Sequence, residues 1–369
     1  MKPARARRQR TFALVATGGT GGHTYPALAL ADALVARGRE ASSIRFVGSR
    51  RGIEGRVVAE AGYRIDLLPG RGLQRKLTVA NLGAIADALV ALARAVGLVR
   101  RYRPDVVVGF GGYASLPCVV AARISRVPTV VHEQDAAPGL ANRIATRLGA
   151  RPAISLPGTP LPGSVLTGNP VRSEVAAVKR IPQSGPCLVA VWGGSLGARR
   201  INDAALDLYD RWRDRGDVVV RHVSGARDHA VCEERLARLR SPDDRLAYEL
   251  VEYEEHMEDV YARASVAVCR SGAGTIAELT VAGVPAILVP LPGAPSDHQT
   301  RNARTLEEAG AAVLLPDDEC DGRSLDDLLS ALLADAEHLA EMGARARGLG
   351  KVDAAERLAD LVEEQAVAR

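Results

Sequence analysis

Twice in this chain an apolar run ends in a cluster of glycines and passes straight into a helix. Thr11-Phe-Ala-Leu-Val-Ala-Thr leads into Gly18-Gly-Thr-Gly-Gly-His23, and Cys187-Leu-Val-Ala-Val-Trp leads into Gly193-Gly-Ser-Leu-Gly-Ala-Arg199. A short apolar strand, a tight glycine turn and a helix form the repeating unit of parallel α/β sheets. β-branched runs stand at 12–16, 44–47, 105–108 and 128–131, then at 187–192, 217–223, 265–269 and 286–290. Helical stretches between them include 26–37, 82–102, 201–215 and 300–309. The pattern predicts an α/β chain of two Rossmann-like, doubly wound domains, 1–171 and 172–350. Each glycine turn would sit at the C-terminal edge of its parallel sheet, and ligands would lie in a cleft between the domains. The Pro/Gly-rich segment 156–170 reads as the linker. The last helix, about 353–367 within 351–369, has no following strand and is expected to pack back across it.

At 369 residues the chain exceeds what one core usually holds, which supports two. With 47% hydrophobic and 25% charged residues it is neither disordered nor collagen-like. Aromatics at 4% speak against a nucleic-acid binder that stacks bases. The five cysteines are scattered and lack any C-x-x-C spacing, so neither a disulfide framework nor a zinc site is expected, and a reducing compartment fits. There is no H-E-x-x-H either, and no metal site is predicted. The acidic groups at Asp207, Asp210 and 317–319 read as solvated surface. The uncharged stretches 106–122, 152–171 and 279–296 are broken by glycine and proline and do not read as membrane spans. No signal-peptide core follows the basic tail 1–10, because Gly18-Gly19-Thr20 interrupts it.

Charge is unevenly spread. Residues 11–171 hold 19 Lys/Arg against 9 Asp/Glu, whereas 172–369 hold 24 against 35. A basic first half suits an anionic partner: a phosphate, a membrane surface or a nucleic acid.

The glycine turns are the first places to look for chemistry. Glycine lets the backbone approach a ligand, and the helix N-terminus that follows favours anions. Gly18–His23 is not a P-loop, and it lacks clean G-x-G-x-x-G register with an acid ending the second strand. A P-loop NTPase and a Rossmann dinucleotide oxidoreductase therefore both lose ground. His23 suits a general base, a phosphate donor or a simple cap. Ser195 suits a helix cap or a phosphate donor. Ser271-Gly-Ala-Gly-Thr275 forms a third turn of this kind, suited to a diphosphate. One turn further on, Glu278 suits either a ribose diol or a dipole-favoured acid. His132-Glu-Gln-Asp135 ends an apolar strand, where its polar side chains would face a ligand. Asp297-His-Gln-Thr-Arg-Asn302 opens a helix and has the amides and acid of a sugar-hydroxyl site.

Taken together, GGTGGHTYPALALADAL, GFGGYAS at 109–115, HEQ at 132–134, GNPVR at 168–172, GGSLGAR at 193–199, CRSGAGTIAEL at 269–279 and DHQTRNA at 297–303 resemble the bacterial MurG family, collinear from about residue 11 to 350. The resemblance implies the glycosyltransferase B fold and inverting, metal-independent transfer of N-acetylglucosamine from UDP-GlcNAc to the 4-hydroxyl of lipid I. The acceptor is undecaprenyl-pyrophosphoryl-MurNAc-pentapeptide and the product is lipid II, which places the activity in peptidoglycan synthesis, cell-wall biogenesis, cell shape and division. No cofactor is implied. The donor would engage Thr20, Gly21, Gly22, Asp135, Arg172, Ser195, Glu254, Ala273, Gly274, Thr275, Glu278, His298, Gln299 and Asn302, with the uracil flanked by the backbone at Glu254. The acceptor would meet Gly18, Gly19, Gly111, Gly112, Tyr113 and Ser115. His23 is the first candidate for the base, with Asp135 and Glu133 behind it. The family usually has Asn where this chain has Asp135.

A lipid-linked acceptor gives the basic half a purpose. Arg71, Arg75 and Lys76 flank Leu73, Leu77, Val79, Leu82 and Ile85, an apolar patch rimmed by cations that suits the anionic cytoplasmic face of the cell membrane. Association with other cell-wall enzymes is compatible with this reading, but the sequence defines no surface for it. The competing readings are a nucleotide-sugar epimerase, a related glycolipid glycosyltransferase and a non-catalytic UDP-sugar sensor.

Overall fold

The computed structural model describes residues 10–19, 21–50, 52–69, 80–182, 184–194 and 196–367, without the side chains of 80–86. The chain divides into two compact units. The first runs to Arg172 and is rejoined at Asp353; the second is Ser173–Val352.

The first unit alternates strand and helix: β1 Ala13–Ala16, α1 Gly21–Ala36, β2 Ile44–Ser49, α2 Glu54–Glu60, β3 Arg64–Leu68, α3 Ala80–Tyr102, β4 Val106–Gly109, α4 Gly112–Ile124, β5 Thr129–Glu133, α5 Leu140–Arg147, β6 Arg151–Ile154 and β7 Val165–Leu166. All its strand pairs are parallel, in the order β3-β2-β1-β4-β5-β6-β7. Strand alternation sends β1 to both faces. Ala13 and Val15 pack with Leu30 and Leu34 of α1, while Leu14 and Ala16 pack with Ala91 and Ala95 of α3 and Cys118 of α4. Burial on both faces explains why β1 and β4 are continuous apolar runs.

The second unit repeats the plan: α6 Ser173–Ala176, β8 Cys187–Trp192, α7 Arg199–Arg211, β9 Val218–Val223, α8 His229–Leu239, β10 Ala247–Val251, α9 Met257–Arg263, β11 Val266–Cys269, α10 Ala273–Ala282, β12 Ala286–Leu288, α11 His298–Glu308, β13 Ala312–Leu314, α12 Gly322–Ala334 and α13 Ala336–Leu349. Its strand order is β10-β9-β8-β11-β12-β13. Val189 and Val191 of β8 pack on Ile201 and Leu208 of α7 and on Leu325 and Leu329 of α12.

After the second unit, α14 (Ala354–Val367) returns to the first. Leu358 and Val362 enter the core beside α1, and Arg37 and Arg39 pair with Glu363 at 3.3 and 2.7 Å.

Two expectations are corrected. The segment 156–170 is no linker: β7 extends the first sheet, the Thr167 N–H donates to the Ile154 carbonyl at 3.1 Å, and Leu156, Thr159, Leu161 and Asn169 are buried. Proline and glycine there shape a tight return onto the sheet edge. α1 begins at Gly21 rather than near Pro26, which lies inside the helix. The two leading glycines hide this start from propensity.

In each unit the strand order reverses once, between β1 and β4 and between β8 and β11. Open α/β sheets bind ligands at this switch point, beyond the strand C-termini.

Candidate active site

In the first unit two glycine turns meet at the switch point. β1 ends at Ala16, whose carbonyl accepts the Phe110 N–H at 2.9 Å just beyond β4. Gly112 has φ +72°, and a Cβ there would run into the Gly18 carbonyl. A Cβ on Gly18 would in turn lie 3.4 Å from the Ala114 N and 3.5 Å from the Tyr113 N. At position 112 only glycine permits this approach. It sets the N-termini of α1 and α4 side by side, where unpaired N–H groups and both helix dipoles favour an anion.

A residue that sequence reasoning missed holds this arrangement. Glu54, at the start of α2, is fully buried. Its Oε1 accepts the Gly19 N–H at 3.1 Å and the Ser49 N–H at 2.7 Å. Gly48 and Gly52 make room for it, since a Cβ at either would collide with its side chain. Those two glycines around an acid were the available signal.

His23 lies in the first turn of α1, half-buried, with Nδ1 3.2 Å from Gln134 Oε1. A Cβ on Gly111 would stand 3.5 Å from its ring, so the second glycine turn borders it. Tyr113 is half-buried and Ser115 buried in the first turn of α4. Burial, with Asp87 nearby, raises the Tyr113 phenol above its ordinary range.

The strand end 132–135 differs from expectation. His132, Glu133 and Gln134 are all buried and bonded within the unit; of the four, only Asp135 is half-buried. The His132 ring is 2.9 Å from the Gly168 carbonyl, and burial pushes its pKa down to about 4. Glu133 accepts from Asn142 Nδ2 and the Gly139 N–H, each at 2.9 Å, and from the Asp135 N–H at 3.2 Å. Burial raises its carboxyl, although these donors oppose the shift. Glu133 thus clamps the loop into α5. β5 is covered on both faces, so its polar end is turned inward.

In the second unit the turn after β8 packs against the end of β9. Gly197 has φ +77°, and a Cβ there would strike the Ser224 carbonyl. After β11, Ser271 and Gly272 lead into α10, with Ala273, Gly274 and Thr275 half-buried in its first turn. Glu278 accepts the Tyr261 hydroxyl at 2.8 Å. Ser271 ties this turn to α11: its Oγ donates to the Gln299 carbonyl at 2.8 Å and its own carbonyl accepts Asn302 Nδ2 at 3.0 Å. Asn302 is fully buried and helps to hold the 271–275 turn.

His298 and Gln299 open α11, both half-buried. Gln299 Oε1 accepts the Leu291 N–H at 2.9 Å, and His298 Nδ1 is 2.8 Å from the Pro295 carbonyl. The preceding Ser296 and Asp297 take left-handed backbone at φ 56° and 52°, a strain that clusters at functional sites. Glu254 turns its carboxylate to Arg221, at 2.6 Å, and to the His256 N–H at 3.2 Å. Burial works against its charge, but these partners hold the carboxyl below its usual range. Its backbone therefore remains the part suited to a base. Asp317 is also not simply solvated surface: it pairs at 2.6 Å with the half-buried Arg270, which also donates to the Val289 and Pro290 carbonyls.

Several expected residues lie outside the description. These are Thr20, Ser195, Arg71, Leu73, Arg75, Lys76, Leu77 and Val79, together with the side chains of Leu82 and Ile85. Gly21, Gly22 and Gly19 border the first turn, and Arg172 is half-buried at the end of the first unit. Among the described residues no cluster of three or more His, Cys, Asp or Glu side chains is placed to hold a metal ion. No described helix is long and apolar enough to cross a membrane.

Two parallel, doubly wound units with paired glycine turns at their switch points have the architecture of the glycosyltransferase B fold. Residues 13–153 match the glycosyltransferase family 28 N-terminal domain and 188–358 the family 28 C-terminal domain. The chain is 42% identical over 361 residues to the UDP-N-acetylglucosamine--N-acetylmuramyl-(pentapeptide) pyrophosphoryl-undecaprenol N-acetylglucosamine transferase of Alkalilimnicola ehrlichii, covering 96% of this chain and 98% of that one. It is 39% identical over 352 residues to the enzyme of the same name from Syntrophotalea carbinolica, covering 94% and 96%. The crystal structure of Acinetobacter baumannii MurG superposes with a TM-score of 0.79 at 28% identity, covering 96% of this chain and all of that one. A UDP-N-acetylglucosamine 2-epimerase shares the fold, with a TM-score of 0.65 at 14% identity. The chain belongs to the MurG family of hexosyltransferases, the N-acetylglucosamine transferases named in these relatives.

Proposed function

We infer that this chain transfers N-acetylglucosamine from UDP-GlcNAc to the MurNAc 4-hydroxyl of lipid I, giving lipid II. The observation that carries the reading beyond family membership is the junction of the α1 and α4 N-termini beside His23. That junction suits an acceptor pyrophosphate, with a proton acceptor one helical turn away.

In the proposed step the acceptor hydroxyl attacks the anomeric carbon of the α-linked donor. A bond forms from that oxygen to C1 as the bond from C1 to the diphosphate breaks, inverting the centre. The hydroxyl proton passes to His23, and UDP leaves with the bonding pair. Asp135, half-buried at the end of β5, is the reserve base. The turns at 193–197 and 271–275 would hold the diphosphate with Ser195 and Arg172, supplying charge neutralisation from helix dipoles and a cation in place of a metal. Glu278 would accept from the ribose hydroxyls, and Gln299 and His298 would face the sugar.

The lipid-linked acceptor supports a peripheral position on the anionic cytoplasmic membrane face. On α3, Leu89 and Val90 are exposed, as are Arg94 one turn on and Arg100 and Arg101 near the end of the helix. Each cation near such a surface contributes about 1 kcal/mol.

The test is UDP release from UDP-GlcNAc by purified protein with and without a lipid I analogue, in EDTA, for wild type and His23→Ala. The expected result is acceptor-dependent release that survives EDTA and falls by about 10²-fold or more in the variant. Tight donor binding without any release would overturn the enzyme reading.

A further inference from the structure

The following inference rests on His23 as proton acceptor and concerns what makes it one. We propose that Gln134 is a positioning residue that locks neutral His23 in its Nδ1–H form and so presents an Nε2 lone pair to the acceptor hydroxyl.

The direction of each hydrogen bond is forced. Backbone carbonyls only accept. Gln134 Nε2 lies 3.1 Å from the Phe110 carbonyl and 3.1 Å from the His132 carbonyl. The end of the carboxamide facing them must therefore be the NH2, because the reverse orientation would set oxygen against two oxygens. That leaves Gln134 Oε1, which only accepts, 3.2 Å from His23 Nδ1. A neutral imidazole carries one N–H, and the bond made by one nitrogen decides the state of the other. With the proton held at Nδ1, Nε2 is the basic nitrogen.

His132 fixes the far end of the relay. Its Nε2 faces the Gly168 carbonyl at 2.9 Å and must donate, so its Nδ1 carries no proton and turns a lone pair toward Gln134 Nε2 at 3.0 Å, sharing that amide's two hydrogens with the Phe110 and His132 carbonyls. The ring is fully buried and packs tilted against Phe110, with centroids 5.3 Å apart, and its depressed pKa keeps it neutral near pH 7. Gln134 is 2% exposed. Neither side chain is free to turn, so the relay is organised before substrate arrives.

The choice of a carboxamide has its own logic. A carboxylate would set the same tautomer but add a negative charge beside a site built for pyrophosphate. Gln134 orients the ring without that repulsion. When the hydroxyl proton moves to Nε2, the oxygen keeps the O–H electron pair for its bond to C1. The Nδ1–H then stays bonded to Oε1, whose dipole faces the new imidazolium.

The test combines ¹⁵N NMR of histidine-labelled full-length protein near neutral pH with steady-state kinetics. Wild type and Gln134→Met are compared, and His23→Ala identifies the His23 signals. The expected wild-type spectrum shows His23 protonated at Nδ1 and His132 at Nε2. In Gln134→Met, His23 moves toward the Nε2–H form that free histidine prefers. There kcat falls roughly tenfold to a hundredfold, within the range a positioned base supplies, while KM for UDP-GlcNAc changes less than about twofold. Wild-type His23 protonated at Nε2 overturns the proposal whether or not the variant folds. A Gln134→Met protein that keeps the Nδ1–H signal also overturns it. Undiminished turnover in His23→Ala would instead sink the base reading, while the tautomer assignment would still be decided by the spectra.

Discussion

The Glu54 carboxylate accepts the Gly19 backbone N–H at 3.1 Å from a position with no solvent exposure. An acid from α2 thus sets the conformation of the β1–α1 turn, where an anion is to be bound. One oxygen, Oε1, accepts both the Gly19 and the Ser49 N–H groups.

Glu54→Ala leaves the buried Ser49 N–H without an acceptor, costing about 1–3 kcal/mol, and releases the more exposed Gly19 N–H to water. We expect a loss of about 1–3 kcal/mol in urea unfolding. Glu54→Gln retains an acceptor oxygen and should stay folded, with a severalfold rise in KM for the lipid I analogue. An unchanged acceptor KM in Glu54→Gln would show that the turn keeps its shape without the carboxylate.

Ser296 sits at φ 56° before α11. The left-handed region costs a non-glycine residue about 1–2 kcal/mol, partly offset in a glycine variant by its more flexible unfolded chain. Ser296→Gly should raise stability by up to about 1 kcal/mol in thermal unfolding, whereas Ser296→Ala should not. Equal effects of the two would refute backbone strain as the cause.

Burial lowers the folded-state pKa of His132 to about 4 and that of His222, in the second unit, to about 3. Unfolding frees both rings to take up protons near pH 6.5. Below that value the unfolded state binds more protons, so stability is fully present above about pH 6.5 and declines as pH falls toward 4. Between pH 7 and pH 5 each ring should contribute a loss of about 2 kcal/mol. Urea titrations at the two pH values check this. A His222→Gln variant should show a smaller difference between them, and an unchanged difference would exclude that ring as a source.

On the donor side, Glu278→Ala should raise KM for UDP-GlcNAc about tenfold or more, the effect of removing a charged acceptor of two hydroxyl bonds. Asn302→Ala should act on the same parameter indirectly, because the Ser271 carbonyl loses its buried donor. It should also cost about 1–3 kcal/mol of stability. The acceptor KM should stay unchanged in both variants, and a shift there would contradict the assignment of donor binding to the second unit.

The strand–glycine–helix repeat is legible in sequence because each piece is local. A both-face-buried strand must be apolar along its length, and a βα turn needs glycine where the chain reverses. Short strands such as β3, β10 and β13 escaped the same reading. β3 and β10 alternate with polar or exposed residues, and β13 is only Ala312–Leu314. The glycine turns, His23 and the first turn of α10 stand where their spacing placed them. The flanking Gly48 and Gly52 hint at a buried Glu54, but its partner Gly19 lies 35 positions away, which local pattern does not encode.

Sequence by itself determined the parallel α/β class, two sheets and the glycine turns that mark each switch point. Tertiary structure alone decided which polar groups lie buried as supports and which remain at the turns. His132, Glu133, Gln134 and Asn302 carry the same chemistry as surface ligands, yet each is enclosed and bonded within its unit. The reason is physical. Burial of a polar side chain depends on donors and acceptors supplied from elsewhere in the chain. The partner of His23 comes from a residue 111 positions away, a pairing that local pattern does not encode.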